Sequence, residues 1–377
     1  MAVCPAPMVS GAEKSLLCLL RHLDRDRYRP LLACPDDSPL SRMAGAADIE
    51  TIPVPALHLR RREPLRSIGR LRTFALTLSQ EVKRRRPHLL HANGTPAMLG
   101  AMRSARKLRV PLIWHVRDVT LPRLMGRMAA RRADATIAIS RTVRDAIAPL
   151  CPASRPPVTI YNGIDPDELT PRADRERTRR ALGIEDDRPA ILFAAQLAAW
   201  KRPDLALEIF AKVRARRGDA QLWIAGSPPP GDKAIADKLK TQATALGIAD
   251  AIRLLGHRPD MPDLFRAADA LLATARTEPL GRSVMEAMAL GRPVVATAEG
   301  GHLELIENGH SGVLFDADAP QSAADRLLEL LNDTEKARRL GEAARHRIAS
   351  NFTVETMVEG VQELYDRLLQ NGDCHPR

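Results

Sequence analysis

The sequence has few cysteines and few aromatic residues, and it contains no long apolar run. Its five cysteines stand singly with no CxxC pair, which argues against a disulfide framework or a zinc site. They are Cys4, Cys18, Cys34, Cys151 and Cys374. An aromatic content of 3% argues against base-stacking platforms for nucleic acid. No apolar run approaches the roughly 20 residues that cross a bilayer, and the first residues lack a signal-peptide layout. We expect a cytoplasmic protein with free thiols.

The order of apolar segments along the chain predicts an α/β protein. A chain of 377 residues with 45% apolar content exceeds what one core usually serves, so two domains are expected. Short β-branched runs alternate with helical patterns in both halves, as in doubly wound parallel sheets. We predict one Rossmann-like domain over residues 1–168 and a second over 169–350. A final amphipathic helix and tail occupy 351–377, and a polar, proline-bearing connection lies around 163–187.

Positive charge is concentrated in the first half of the chain. Residues 1–170 hold 28 Lys and Arg against 15 Asp and Glu, and residues 51–150 hold 21 against 5. The helix predicted around 64–86 carries much of this charge, and Arg60, Arg61 and Arg62 precede it. Such a surface suits an anionic membrane, nucleic acid or an acidic polymer. The simpler alternative is a set of solvated helix faces in an arginine-rich protein.

Two glutamates flank a predicted helix start in the segment "EPLGRSVMEAMALGRPVVAT" (278–297). The segment follows an apolar strand and enters a helix near Arg282, so the free amides of Gly281, Arg282 and Ser283 would form an anion site. Glu278 precedes that turn, and Glu286 lies one helical turn after it. Since a carboxylate accepts hydrogen bonds from neighbouring hydroxyls, the pair suits a diphosphate with sugars on both sides, as in a nucleotide sugar. An isolated pair of glutamates would more simply cap and solvate a helix.

This pair is not isolated, because the segment 278–312 resembles the signature of retaining GT-B glycosyltransferases of the large family 4 group. The matching elements are E-x(7)-E, "EAMA-G-PVVAT", "GG--E" and "NG--G", in the family's order. Earlier segments extend the resemblance over nearly the whole chain. They are "SGAEKSLLCLL", "RRPHLLHANG", "IWHVRDV", "TIYNGID" and "FAAQLAAWKRPDLALEIF".

The resemblance implies a GT-B fold with two facing domains and a last helix that returns to the first. It also implies a role for each matching residue. Glu278, His115 and Lys201 would take part in catalysis: Glu278 would bind the transferred sugar, Lys201 the diphosphate, and His115 would lie beside the donor sugar. The other residues implied to bind the donor are Glu286, Gln196, Gly281, Arg282, Ser283, Gly300 and Gly301. Gly11 and Glu13 belong to the loop that approaches donor or acceptor.

The sequence departs from the family pattern in two places. Gln196 stands five residues before Lys201, where the family has an arginine, so one fixed positive charge is missing. Arg202 or Arg282 could substitute for it. In addition, only "MAVCPAPMV" precedes Ser10, so the first strand is expected to be short, or the true start to lie upstream.

Other motifs are weaker. The acidic triplets at 24–26, 165–167 and 316–318 match a metal-binding DxD but are common in turns, so we expect no metal. His91 and His115 have no partner at metal-ligand spacing, and His91 is predicted to be a structural turn residue.

Together these observations predict metal-independent transfer of a sugar, with retention, from a UDP- or GDP-linked donor to a lipid-linked or saccharide acceptor, without a cofactor. Cell-envelope, exopolysaccharide or glycolipid synthesis is the expected setting, with peripheral attachment to the cytoplasmic face of a membrane. Two alternatives remain. One is a nucleotide-sugar epimerase of the same fold, and the other is a non-catalytic nucleotide-sugar-binding protein that lost turnover with Gln196.

Overall fold

Strands and helices alternate through most of the computed structural model, which describes residues 1–57, 59, 64–184, 187–229 and 234–372. Arg60, Arg61, Arg62 and Cys374 therefore lie outside the described residues. By its internal contacts the chain divides into two units. The first unit comprises Met1–Gly163 and the chain from Phe352 onward, and the second comprises Ile164–Asn351.

The first unit is built on a seven-stranded parallel sheet with the order β3-β2-β1-β4-β5-β6-β7. Its strands are β1 (Ala2–Val3), β2 (Leu31–Cys34), β3 (Glu50–Pro53), β4 (Leu90–Asn93), β5 (Leu112–Val116), β6 (Ala135–Ala138) and β7 (Val158–Thr159). Its helices are α1 (Gly11–His22), α2 (Pro39–Gly45), α3 (Pro64–Arg85), α4 (Thr95–Leu108), α5 (Arg123–Arg132) and α6 (Arg141–Ile147), joined later by α15 (Val354–Gly372). Strand β1 has two residues and pairs with both β2 and β4.

The second unit is built on a six-stranded parallel sheet with the order β10-β9-β8-β11-β12-β13. Its strands are β8 (Ala190–Ala194), β9 (Gln221–Ala225), β10 (Ile252–Gly256), β11 (Ala270–Ala273), β12 (Val294–Thr297) and β13 (Val313–Phe315). Its helices are α7 (Arg175–Ala181), α8 (Pro203–Arg216), α9 (Ala234–Ala245), α10 (Met261–Ala267), α11 (Arg282–Ala289), α12 (His302–Leu305), α13 (Pro320–Asn332) and α14 (Thr334–Asn351). The predicted α/β class, with one parallel sheet in each of two units, is confirmed.

The central strands are buried and mostly apolar because helices cover both faces of a parallel sheet. Strands β5 and β8 are buried at every position. In each sheet the strand order reverses next to the first strand, between β1 and β4 and between β8 and β11. Loops leaving the carboxyl ends of strands at such a point form the usual ligand crevice of open α/β sheets.

Helix α15 packs on the first unit through the face that its periodicity predicts. Val354, Met357, Val358, Val361, Leu364 and Tyr365 are all buried in the core of that unit. Leu368 packs against the same cluster. Among the described residues, no helix combines the length and apolar content that a membrane span needs.

The described part of the polar segment predicted as a connection, residues 163–184, contains regular structure. It contains helix α7, whose Arg179 is buried and donates to the Ala267 carbonyl and to Asp269. A guanidinium that donates to internal acceptors can be buried, so a polar composition does not by itself indicate a connection. The division between the units falls at Gly163, where an added Cβ would lie 2.4 Å from the Thr353 carbonyl oxygen.

Replacing Leu364 with alanine tests the packing of α15. We expect the substitution to lower the free energy of unfolding of the first unit by about 2–5 kcal/mol, because it leaves a cavity in a closed core. Urea unfolding, monitored by amide hydrogen exchange in the first unit, measures the loss of stability. Glu363→Ala, on the exposed side of the same helix, is the control, and equal effects of the two changes would contradict this packing.

Candidate active site

The loops that follow β8 and β11 bring an oppositely charged pair together in the second unit. Lys201 ends a short 3-10 turn after β8, and Glu278 lies in the loop after β11. Lys201 Nζ is 2.5 Å from Glu278 Oε2. The Lys201 ammonium also lies 4.2 Å from the centre of the Trp200 ring. Both charged side chains are largely removed from solvent, at 15% and 7% exposure.

The turn that carries Lys201 is fixed to the end of β11. The buried Thr274 hydroxyl lies 2.9 Å from the Lys201 carbonyl oxygen and 2.7 Å from that of Arg202. Arg276 N donates to the Trp200 carbonyl. These contacts join two loops that are distant in sequence, so the position of the ammonium does not depend on its own flexible stem alone.

Two glycines hold the loop that carries Glu278. Gly300 has φ +57°, and a Cβ added there would lie 2.4 Å from the Glu278 carbonyl oxygen. A Cβ on Gly301 would lie 2.3 Å from Leu280 Cα, and the Gly301 amide donates to the Glu278 carbonyl at 2.7 Å. Only glycine allows these two backbone segments to lie so close. Gly300 and Gly301 therefore position Glu278.

Helix α11 begins at Arg282, after Gly281 in a left-handed conformation (φ +106°), as the sequence predicted. Ser283 is half-buried in its first turn. The Arg282 side chain extends along the helix toward Glu286. Its Nε donates to Glu286 Oε1 at 2.8 Å, and its Nη2 lies 3.4 Å from Glu168 Oε2. Glu286 is thus buried in an ion pair, and Glu168 is a partner that sequence spacing could not reveal.

Gln196 is exposed in the loop between β8 and the Lys201 turn. The two arginines considered as substitutes for its missing charge both have carboxylate partners. Arg202 contacts Asp204 at 2.9 Å, and Arg282 contacts Glu286. Neither is an uncommitted cation in this structure.

His302 is a further residue of this region that the sequence analysis did not single out. It is buried at the start of α12, and its Nδ1 lies 3.1 Å from the Thr297 carbonyl oxygen. That acceptor requires a proton on Nδ1. Burial lowers the pKa of His302, so the ring is neutral. A Cβ on Gly281 would lie 3.3 Å from His302 Cδ2, which places this imidazole against the start of α11. In the sequence, the position of His302 directly after Gly300 and Gly301 was the signal that could have indicated its place in this region.

In the first unit, His115 lies on β5 within a buried polar cluster. Its Nδ1 is 3.0 Å from His91 Nε2. Burial lowers the pKa of both imidazoles, that of His91 to about 3, so both rings are neutral. His91 is on strand β4 and contacts the Tyr365 hydroxyl, so the prediction that it is a turn residue is wrong. A tertiary contact with α15 explains why this polar side chain is buried.

The first turn of α1, and not the loop that the resemblance implied, carries the other two predicted residues of the first unit. Gly11 is the first residue of the helix, and Glu13 is buried in the same turn. Glu13 Oε2 accepts a hydrogen bond from the Ser10 amide at 2.8 Å. Cys4 Sγ at the end of β1 lies 3.8 Å from Glu13 Oε1, and burial raises the pKa of this thiol to about 12. Glu13 therefore connects the start of α1 to the residue that follows β1.

Gly301→Ala tests whether the glycine pair sets the Glu278 loop. Because the added Cβ meets backbone rather than a movable side chain, we expect a loss of about 1–3 kcal/mol in the free energy of unfolding. Gly218→Ala is the control, since a Cβ there meets nothing within 4 Å. Urea unfolding of both variants measures the difference, and equal stability would show that the close approach is not required.

Comparison with known proteins places these features in a family. Residues 174–347 match the family model described as glycosyl transferases group 1, and residues 9–168 match the model described as glycosyltransferase family 4. A D-inositol 3-phosphate glycosyltransferase of Corynebacterium jeikeium is 34% identical over 217 residues, which cover 56% of this chain and 51% of that protein. A protein of the same name from Stackebrandtia nassauensis is 30% identical over 252 residues, 65% of this chain and 56% of its own. The chain spans about half the length of these curated relatives.

Solved structures share the fold over nearly the whole chain. Anabaena Alr3699/HepE in complex with UDP-glucose has a TM-score of 0.85 and 24% identity, over 97% of this chain and 98% of that one. A glycosyltransferase from Rickettsia africae has a TM-score of 0.82 and 20% identity, over 98% of both chains. With the two family models together covering most of both units, the chain belongs to the group 1 glycosyl transferases.

Proposed function

We propose that the protein transfers a sugar from a nucleotide-sugar donor to a hydroxyl acceptor, and that the second unit binds the donor. The observation that carries the proposal is the arrangement around α11, where Lys201 pairs with the buried Glu278 and Arg282, at the start of the helix, pairs with the buried Glu286. Cations and helix amides suit a diphosphate, and the carboxylates suit hydroxyls on either side of it.

Donor binding would exchange the partners of the ion pair. The diphosphate replaces Glu278 as the partner of the Lys201 ammonium. Glu278 can then accept hydrogen bonds from the transferred sugar. Glu286 would likewise accept from the ribose hydroxyls, while Arg282 stays beside it. The fixed charges are then most useful when the bond to the diphosphate breaks and negative charge develops there.

In the transfer itself, the bond from the anomeric carbon to the diphosphate breaks, and a bond from the acceptor oxygen forms on the same face, which gives retention. The acceptor proton leaves with the departing diphosphate. Lys201 and the amides of Gly281, Arg282 and Ser283 stabilise that leaving group without a divalent metal. Gln196 contributes a hydrogen bond but no charge.

The comparisons support a UDP-linked donor and leave two acceptor classes. Anabaena Alr3699/HepE was solved with UDP and glucose and with UDP-glucose, which favours UDP over GDP. The curated relatives are named for D-inositol 3-phosphate, so a phosphorylated polyol is one acceptor class. A saccharide or lipid-linked acceptor of the cell envelope is the other.

Thermal-shift titration against UDP, GDP and their sugars tests the donor site. A donor present at about 100 times its dissociation constant should stabilise the protein by roughly 2.7 kcal/mol. We expect Glu286→Ala to abolish the shift and Glu335→Ala, an exposed glutamate on α14, to keep it. A donor shift that survives Glu286→Ala would contradict the ribose role.

Product analysis with and without acceptors then distinguishes the alternatives. A new glycoside with the donor's anomeric configuration supports the transferase. A changed sugar nucleotide formed without acceptor would identify an epimerase, and binding without any product would identify a non-catalytic protein.

We also propose that the first unit binds an anionic membrane surface through α3 and α5. Leu65 and Ile68 on α3 are 83% and 63% exposed, and Leu124 on α5 is 81% exposed. Each lies within a few residues of arginines, which are Arg66, Arg70, Arg72, Arg123 and Arg127. Exposed apolar side chains among cations match the interfacial layer of anionic lipids.

Vesicle flotation tests this surface. Binding to phosphatidylglycerol vesicles should exceed binding to phosphatidylcholine vesicles, weaken with salt, and fall in Leu65→Ser/Ile68→Ser. Leu246→Ser, an exposed leucine of the second unit, is the control. Absent or salt-independent binding would contradict the proposal.

A further inference from the structure

A buried line of hydrogen bonds runs through the first unit from α15 to β5. The Tyr365 hydroxyl lies 2.8 Å from His91 Nδ1, and His91 Nε2 lies 3.0 Å from His115 Nδ1. Both imidazoles are about 1% exposed. Each contact joins two groups that could donate or accept, so the two histidines alone do not fix the direction of the line.

Arg117 fixes that direction. Its Nη2 lies 3.4 Å from His115 Nδ1, and a guanidinium donates but never accepts. An N–H at His115 Nδ1 would face both this donor and its positive charge, so the nitrogen there must carry a lone pair. A neutral imidazole with an unprotonated Nδ1 carries its proton on Nε2.

The other protons follow from this one. Because His115 Nδ1 accepts, His91 Nε2 must donate to it. His91 Nδ1 is then unprotonated and accepts from the Tyr365 hydroxyl. Burial and the charge of Arg117 lower the pKa of both histidines, so neither imidazole gains a second proton near neutral pH. One arrangement of protons satisfies every contact.

Arg117 is itself held in place. Its Nε donates to Asn93 Oδ1 at 2.9 Å and its Nη1 donates to Asn162 Oδ1 at 2.5 Å. Asn93 Nδ2 in turn lies 3.6 Å from Cys4 Sγ. With both amide oxygens facing the guanidinium, Arg117 stays against His115 Nδ1.

His115 Nε2 is buried and has no hydrogen-bond partner within the described part of the chain. We propose that Arg117, together with His91 and Tyr365, holds His115 as a neutral imidazole whose Nε2–H donates to an oxygen of a substrate bound at the first unit. His115 is then a hydrogen-bond donor and not a general base. Arg117, His91 and Tyr365 are positioning residues, and the inference about the ligand rests on the proposed function.

Long-range proton–nitrogen NMR spectra of protein labelled with ¹⁵N-histidine test the assignment without any substrate. Protonated and unprotonated ring nitrogens have distinct shifts, and His91→Asn and His115→Asn assign the signals. We expect both rings to be protonated on Nε2 and unprotonated on Nδ1. A proton on Nδ1 of His115 would overturn the proposal.

Variants separate positioning from general structure. Glutamine can accept as well as donate, so Arg117→Gln should give His115 a mixture of both tautomers. It should also reduce kcat/KM for sugar transfer about tenfold, the size of one lost hydrogen bond. Tyr365→Phe should move only the His91 Nδ1 signal, and Tyr28→Phe, which alters the neighbouring ring, should move neither histidine. A single unchanged tautomer in Arg117→Gln would overturn the role of Arg117.

The two proposals can fail separately. The wild-type spectrum decides the tautomer even if Arg117→Gln does not fold. A proton on His115 Nδ1 in an enzyme that transfers sugar would leave the proposed function intact. The expected spectrum in a protein that forms no glycoside would instead contradict the proposed function alone.

Discussion

The candidate donor site depends on one ion pair, that between Lys201 and Glu278. Removing two charges from water is costly, and the loss is recovered only when the partners are held in good geometry. Here the backbone supplies that geometry. Thr274 fixes the turn that carries the ammonium, and Gly300 and Gly301 fix the loop that carries the carboxylate. Each of the two charges is therefore the partner of the other.

The second unit contains another ion pair of this kind, in the helix that follows the Glu278 loop. Arg282 and Glu286 form another buried pair at the start of α11. In both pairs a cation suited to phosphate already lies against a carboxylate suited to hydroxyls. For the Lys201–Glu278 pair, a nucleotide sugar offers a diphosphate to the cation and hydroxyls to the carboxylate, so both groups keep a hydrogen-bonding partner when their contact is exchanged. In the first unit, the buried Arg117 donates to Asn93 and Asn162 and lies beside His115. There it directs the protons of two histidines.

The sequence predicted those features that depend on local pattern. The alternation of apolar runs and helical segments predicted the two parallel sheets, and helical spacing predicted which face of α15 is buried. The motif around Gly281 predicted the start of α11 at Arg282. These succeed because periodicity and a glycine turn depend on neighbours within a few residues.

Features that depend on distant residues could not be predicted in this way. Tyr365 and His91 are 274 positions apart, and no spacing rule connects them. The contact of Arg282 with Glu168 spans 114 positions. Helix α7 was missed because its polar, proline-bearing segment was interpreted as a connection, whereas Arg179 is buried against carbonyl and carboxylate acceptors. In each case a polar side chain is explained by a partner brought to it by the fold.

The most direct test of partner exchange is calorimetric binding of UDP and of UDP-glucose to Lys201→Met and Glu278→Gln. Both ligands carry the diphosphate, but only one carries the sugar. The account predicts that Lys201→Met weakens both ligands, whereas Glu278→Gln weakens UDP-glucose alone and leaves UDP bound at least as tightly, because Lys201 is freed. If Glu278→Gln weakened UDP as much as Lys201→Met does, the exchange of partners would be contradicted.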